Sequence, residues 1–211
     1  MKRLFLSSIC AAILFSACNN SKEKTNQNQD SVVVSGTETV GSTSTDSTKT
    51  TFNLDDIPVS TAELGEFPFF TSIEGTQFIN DPKVKSFDFL YVALPDGSLV
   101  KKEGKVFRAF IQGNNANAKE EITTAAINKH FEDAITKAGG MLIHEGRWSD
   151  AQIKNYDELA TYKGSDGTID VYNNPVKTYV IHRNDGNIYI QLESKSDNAG
   201  TFQIIQETTT K

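Results

Sequence analysis

Apolar and aromatic residues are concentrated in short runs from Phe52 onward. Phe87 to Leu94 is one such run, and Val106 to Ile111 is another. Pro95-Asp96-Gly97-Ser98 follows the first run and favours a turn, because Pro fixes φ and Gly tolerates positive φ. The pattern predicts an antiparallel meander in which the chain leaves the turn at Leu99 and begins a further strand after Gly104.

A helical period replaces this pattern after residue 116. Asn117 and Glu120 have the spacing of a capping box, in which each side chain bonds the backbone of the other residue. Gly139-Gly140 is typical of a helix end. One apolar stripe at 3.6-residue spacing joins Ile122, Ala126, Ile127, His130, Phe131, Ala134, Ile135 and Ala138. The spacing predicts a helix capped at Asn117, followed by a short strand over 141–144.

A second, shorter helix is predicted from its capping residues. Ser149 and Gln152 form a capping box, and Trp148 before the cap can meet Ile153 as a hydrophobic staple. The helix is expected to end near Ala160.

The last part of the chain returns to strands. Predicted strands cover 168–172, 176–182, 188–192 and 202–206. Asn184-Asp185-Gly186-Asn187 between the second and third of these is a hairpin signal, because Asn, Asp and Gly tolerate the positive φ of tight turns. The fold class predicted is α+β, an antiparallel sheet with two helices packed on one face, within a single domain over 52–211.

The segment before this domain has a different composition. Fourteen of the 33 residues from 19 to 51 are Ser or Thr, and none is aromatic. Such a segment buries too little apolar surface to offset the entropy of ordering. Residues 18–51 are therefore predicted to be a flexible tether.

The N-terminus has the order of a secretory signal. Lys2 and Arg3 precede a largely apolar run over 4–15, which is too short to span a bilayer. Phe15-Ser16-Ala17-Cys18 resembles the lipobox that lipoprotein signal peptidase cleaves. That resemblance implies a signal peptide over 1–17 and acylation of Cys18, by which the mature protein would be anchored to the outer membrane, on its periplasmic face or at the cell surface.

Cysteine content and charge narrow the function classes. Cys10 and Cys18 are the only cysteines, and Cys10 leaves with the signal peptide, so no disulfide is expected. The formal net charge of −6 becomes −8 without Lys2 and Arg3. Because an acidic surface repels phosphate groups, no nucleic-acid partner is expected.

Several runs of the domain resemble a known family domain. They are DIPVSTAELGEFPFF (56–70), FDFLYV (87–92), EGKVFRAFI (103–111), FEDAITKAGG (131–140) and VKTYVIHRNDGNIYIQL (176–192). They are similar to a domain of OmpA-family envelope proteins of Bacteroidota that commonly precedes a peptidoglycan-binding C-terminal domain. No such second domain follows before Lys211. The resemblance therefore implies envelope location and architecture, but it implies neither peptidoglycan binding through that module nor an activity.

No catalytic, cofactor or metal set is predicted. No G-x-S-x-G elbow occurs, and none of His130, His144 and His182 has another histidine at i+2 or i+4. Asp166 and Asp170 are the most suggestive carboxylate pair, but Asp-Gly in a tight turn is the simpler interpretation. The aromatic residues Phe67, Phe69, Phe70, Phe87, Phe89 and Tyr91 are interpreted as core, with a sugar or peptide platform as the alternative.

The sequence thus predicts a membrane-anchored, non-catalytic envelope lipoprotein that acts as a binding or structural module. Its partners are the membrane, through lipidated Cys18, and an envelope protein or glycan. Two alternatives stay open: an envelope glycan hydrolase that uses acidic residues, and a carrier of a small apolar ligand in a pocket between sheet and helices.

Overall fold

The computed structural model describes residues 51–114, 121–160 and 167–208. The predicted signal peptide, Cys18 and the predicted tether up to residue 50 lie outside these ranges, so those assignments stay predictions. A short 3-10 helix, Leu54–Asp56, precedes the other elements. These are β1 Thr76–Ile79, β2 Lys85–Ala93, β3 Leu99–Gly113, α1 Thr124–Lys137, β4 Met141–Gly146, α2 Asp150–Leu159, β5 Val176–Ile181, β6 Ile188–Ser196 and β7 Ala199–Glu207.

The strands form one antiparallel sheet in the order β1-β3-β7-β6-β5-β4, with β2 also paired to β3. Two helices accompany this seven-stranded sheet in the described residues, which confirms the α+β class. The predicted β2–β3 turn and the β5–β6 hairpin are confirmed, because the flanking strands pair in register at Ala93–Leu99 and Ile181–Ile188.

The break predicted at Gly104 is wrong, because β3 runs through it as one strand of 15 residues. Gly104 pairs with Asp88 of β2 and also with Glu207 of β7, and the pairing of β3 with β7 begins there. A Cβ at this position would lie 2.0 Å from the Gln206 carbonyl oxygen. The glycine therefore permits a close strand approach and does not end the strand.

The start predicted for α1 is also wrong. Asn117 and Glu120 lie outside the described residues, but 121–123 are non-helical and Thr123 is the N-cap, its side chain accepting from Ala126 N. The C-terminal end is as predicted, with Ala138 as the C-cap and Gly139 at φ 81°.

The capping box of α2 is confirmed, since Ser149 and Gln152 exchange both hydrogen bonds. By contrast, the strand predicted over 168–172 is absent: these residues form irregular chain and a turn. Strand β1 was not predicted.

Alternate side chains of the sheet enter different hydrophobic clusters. The largest cluster contains Ile127, Phe131 and Ile135 of α1 with Phe202 and Ile204 of β7. Tyr156, the buried aromatic residue of α2, belongs to another cluster, with Trp148, Val171 and Val176. The placement of both helices on one face is accordingly not confirmed. Ile153, the predicted staple partner of Trp148, packs against the same cluster as Trp148.

Candidate functional site

Four polar residues form a row across the middle of the sheet. Thr178 of β5 pairs with Gln191 of β6, Gln191 with Gln203 of β7, and Gln203 with Arg108 of β3. We call these four residues the polar row. Thr178, Gln191 and Gln203 are buried, and the Arg108 side chain is 9% exposed. A buried polar group is costly unless it is hydrogen-bonded, so the partners of this row decide its role.

Three members of the polar row bond the backbone that covers them. Gln191 donates to Tyr91 O at 2.9 Å, and Gln203 donates to Gly167 O at 2.5 Å. Arg108 donates to Phe89 O and to the Asp88 carboxylate, at 2.7 Å for the latter. The row thereby donates hydrogen bonds to carbonyl groups of β2. Without these donors, that side of β2 would be an open strand edge.

The Asp88 carboxylate is held in its ionised form. Burial alone would raise its pKa, but hydrogen bonds from Arg108 and Lys85, with the charge of Arg108, keep the pKa below the ordinary 3.8. The cavity beside the row has a volume of about 30 Å³ and is lined by residues that include Arg108, Gln191 and Trp148. That volume suits one or two water molecules, not a metabolite. The hydrogen bonds of the polar row therefore hold β2 and the segment 167–172, here called the Gly167 segment, against the sheet.

A solvent-accessible site lies at the turn between β5 and β6. Two grooves meet there and share Arg183, and we call them together the Arg183 surface. The first groove, of about 520 Å³, is lined by residues that include Phe67, Phe69 and Lys105. The second, of about 620 Å³, is lined by residues that include Phe87, Lys101 and Glu207. Both volumes lie within the range of small-ligand sites.

The turn that carries Arg183 is held by hydrogen bonds. The Arg183 guanidinium donates to both Asp185 carboxylate oxygens, at 2.7 and 3.0 Å, and to Ala62 O at 2.7 Å. The hydrogen bonds from Arg183 lower the Asp185 pKa below 3.8. Asn187 accepts from Arg183 N and donates to Glu207 at 3.0 Å. Gly186 is required here, because a Cβ would lie 2.3 Å from Glu207 O. The donors and acceptors of the surface are thus ordered before any partner arrives.

Aromatic rings border both grooves. Phe67 and Phe69 contact edge to face with centroids 5.2 Å apart, and the Lys105 ammonium lies 4.9 Å from the Phe67 centroid. Phe69 has φ +67°, a region that a bulky residue rarely adopts. Such strain persists only where the surrounding structure enforces it.

Phe87 is the residue for which the core interpretation is wrong. Its side chain is 65% exposed, whereas Phe70 is buried and the other four aromatics of the predicted set are half-buried. A bulge in β2 places Ser86 and Phe87 opposite the single residue Lys105, and bulges re-aim side chains. The sequence predicts no role for Arg183 either. The hairpin signal around it was the available clue, since loops carry binding residues more often than strands do.

Each histidine contacts a backbone carbonyl oxygen in a different segment of the chain. His130 Nε2 lies 2.9 Å from Thr71 O, His144 Nε2 lies 3.3 Å from Gly146 O, and His182 Nδ1 lies 2.7 Å from Ile57 O. Within the described ranges, no three or more His, Cys, Asp or Glu residues come together as a metal site.

Asp170, the described member of the suggestive carboxylate pair, is part of a turn. Its carboxylate accepts from Tyr172 N, Asn173 N and the Asn173 side chain, and these bonds lower its pKa below 3.8. Asp166 lies outside the described residues.

Among the helices that the structure describes, none combines the length and the apolar character needed to cross a bilayer. Comparison of the chain with protein-family models, curated proteins and solved structures found no match.

Proposed function

We propose that this protein is a lipid-anchored, non-catalytic module of the cell envelope that binds a partner through the Arg183 surface. One observation carries the proposal. Phe15-Ser16-Ala17-Cys18, which resembles a lipobox, ends a secretory-type signal and precedes a Ser- and Thr-rich tether. That order is what an acylated protein needs if its domain is to stand clear of the membrane.

Acylation of Cys18 holds the mature chain at the outer membrane, on its periplasmic face or at the cell surface. Each buried CH₂ contributes about 0.8 kcal/mol, so two or three acyl chains give a stable anchor. The mature charge of −8 disfavours electrostatic attachment to anionic lipids and also disfavours a nucleic-acid partner.

The preorganised polar groups of the Arg183 surface support a binding role. Because Arg183, Asp185 and Asn187 are already fixed by hydrogen bonds, a partner would meet them with little further loss of conformational entropy. The partner classes proposed are an envelope protein or a glycan. The proposed resemblance of 56–70 and 176–192 to an OmpA-family domain is consistent with a place in the cell envelope.

Anchoring is tested with matched cysteine variants of the full-length protein. Wild-type protein and Cys10→Ser should be acylated, cut before Cys18 and recovered in the membrane fraction. Cys18→Ser should lose the acyl chains, as measured by mass spectrometry of the purified chain and by fatty-acid labelling. Processing and membrane partition of Cys18→Ser identical to wild type would overturn the anchoring.

Binding is tested by recovering the full-length protein from detergent-solubilised envelopes. A protein or glycan that co-purifies with wild type and is lost when Phe67 and Phe87 are both replaced by Ala supports the Arg183 surface. If the same protein or glycan co-purifies equally well with the double variant, it binds the protein outside the Arg183 surface.

A further inference from the structure

Phe87 is the most exposed large hydrophobic residue in the described part of the chain. Its neighbour Asp88 is only 12% exposed, so two consecutive residues at the β2 bulge carry an outward ring and an inward carboxylate. An exposed aromatic ring beside a concave groove is a surface that a ligand can cover favourably, because apolar area is removed from water.

The charges that line the groove beside Phe87 cancel. Its lining has two cations, Lys101 and Arg183, and two anions, Glu103 and Glu207. Each of these four groups already has an oppositely charged partner. The pairs are Lys101–Glu103, Lys102–Glu207 and Arg183–Asp185. An ionic ligand would have to displace one of these pairs, so the electrostatics favour a neutral ligand.

The same groove offers hydrogen-bond donors and acceptors together. Lys101 and Arg183 donate, Glu103 and Glu207 accept, and the Asn187 amide does both. Hydroxyl groups also donate and accept, and each can bridge a carboxylate and a cationic group. A pyranose adds a C–H face that packs flat on an aromatic ring. The groove volume of about 620 Å³ accommodates a few sugar rings.

We propose that the groove between Phe87 and Arg183 binds a neutral glycan, with the Phe87 ring covering the C–H face of one sugar and the paired polar side chains bonding its hydroxyls. This inference names the ligand class of the Arg183 surface and so rests on the proposed binding function. It excludes an acidic polysaccharide as the preferred ligand, because no uncompensated cation lines this groove among the described residues.

The test uses the full-length protein in detergent and three neutral hexasaccharides: maltohexaose, cellohexaose and the fully N-acetylated form of chitohexaose. At least one should bind by isothermal titration calorimetry. Hexagalacturonate, a charged probe of the same length, should bind more weakly. Phe87→Ala should weaken binding about tenfold, a change of about 1.4 kcal/mol. Phe87→Trp should retain it. Leu159→Ala removes another exposed apolar side chain, far along the chain on α2, and should leave binding unchanged.

Three results overturn the glycan assignment. They are no binding of any neutral probe at millimolar concentration, tighter binding of hexagalacturonate, and equal affinity of wild type and Phe87→Ala. Self-association that disappears in Phe87→Ala, measured by analytical ultracentrifugation, would show that a second copy covers the ring. None of these four outcomes bears on acylation of Cys18 or on membrane partition, which are measured separately. Failure of the glycan assignment is therefore distinguishable from failure of the anchoring.

Discussion

Arg108 of β3 and Asp88 of β2 form an ion pair that is almost removed from water. Arg108 Nη1 lies 2.7 Å from Asp88 Oδ2, and the two side chains are 9% and 12% exposed. Arg108 also donates to Phe89 O, so one guanidinium bonds both a side chain and the main chain of β2. The pair therefore joins β2 to the polar row of the sheet.

Arg108→Met should be strongly destabilising. The replacement leaves the Asp88 charge buried, with Lys85 as its remaining cationic partner at 3.0 Å, and removes the donor to Phe89 O. Breaking a buried pair from one side typically costs 3–5 kcal/mol, and we expect about 3 kcal/mol here because Lys85 remains. Urea unfolding followed by the fluorescence of Trp148, the single tryptophan, measures it.

Lys129→Met is the matched control. Lys129 and Asp133 of α1 form an ion pair at 2.8 Å, but their side chains are 75% and 63% exposed. Solvent screens such a pair, so we expect a loss of about 0.5 kcal/mol or less. Equal losses in the two variants would show that the Arg108 pair contributes no more than a surface contact.

Stability in acid should depend on Asp88. Its pKa in the folded protein lies below 3.8, the ordinary value expected for the unfolded chain. Above 3.8 both states are ionised and the full stabilisation is present. As the pH falls through 3.8 and on through the folded pKa, the unfolded state binds its proton first and the stabilisation is lost. Free energies of unfolding against pH should fall less steeply in Asp88→Asn, and parallel curves would contradict the prediction.

The sequence predicted those elements whose signals are local. The Ser149–Gln152 capping box and the Asn184–Asn187 turn depend on residues a few positions apart, and both are present as predicted. The cap of α1 was missed because Asn117 has the capping-box spacing ahead of the apolar stripe, whereas the actual cap, Thr123, follows Ile122, the first residue of that stripe.

The polar row could not be predicted, because it depends on strand register. The Gln191 side chain bonds Tyr91 O from 100 positions away. The polar row exists only once four strands are aligned. Phe87 shows the same limit on a smaller scale. Its run is apolar except for Asp88, and nothing in the run marks the β2 bulge at which Phe87 is exposed.

His144 should make stability fall in mildly acidic solution. Burial lowers its pKa below 6.5, although the contact with Gly146 O opposes the shift. When the pH falls below 6.5 the unfolded chain therefore takes up this proton before the folded chain does, and stability decreases until the folded pKa is reached. NMR titration of the imidazole should give a midpoint below 6.5, and His144→Gln should remove this part of the pH dependence. A midpoint at or above 6.5 would refute the prediction.

Replacement by alanine should reduce stability very differently at two glycines that have similar positive φ angles. Gly97 and Gly167 have φ +79° and +62°, so either replacement strains the backbone by about 1–2 kcal/mol. At Gly97 nothing lies within 4 Å of an added Cβ, whereas at Gly167 the Ala109 nitrogen would lie at 2.3 Å.

Relief of that overlap must move the Gly167 segment away from β3, and the bond from Gln203 to Gly167 O would then be lost. We expect a loss of about 1 kcal/mol for Gly97→Ala. For Gly167→Ala we expect about 3 kcal/mol or more, because overpacking adds to the strain. Urea midpoints of the two variants measure the difference. Similar midpoints would mean that the Gly167 segment can withdraw from the sheet at little cost, and that the polar row does not hold it.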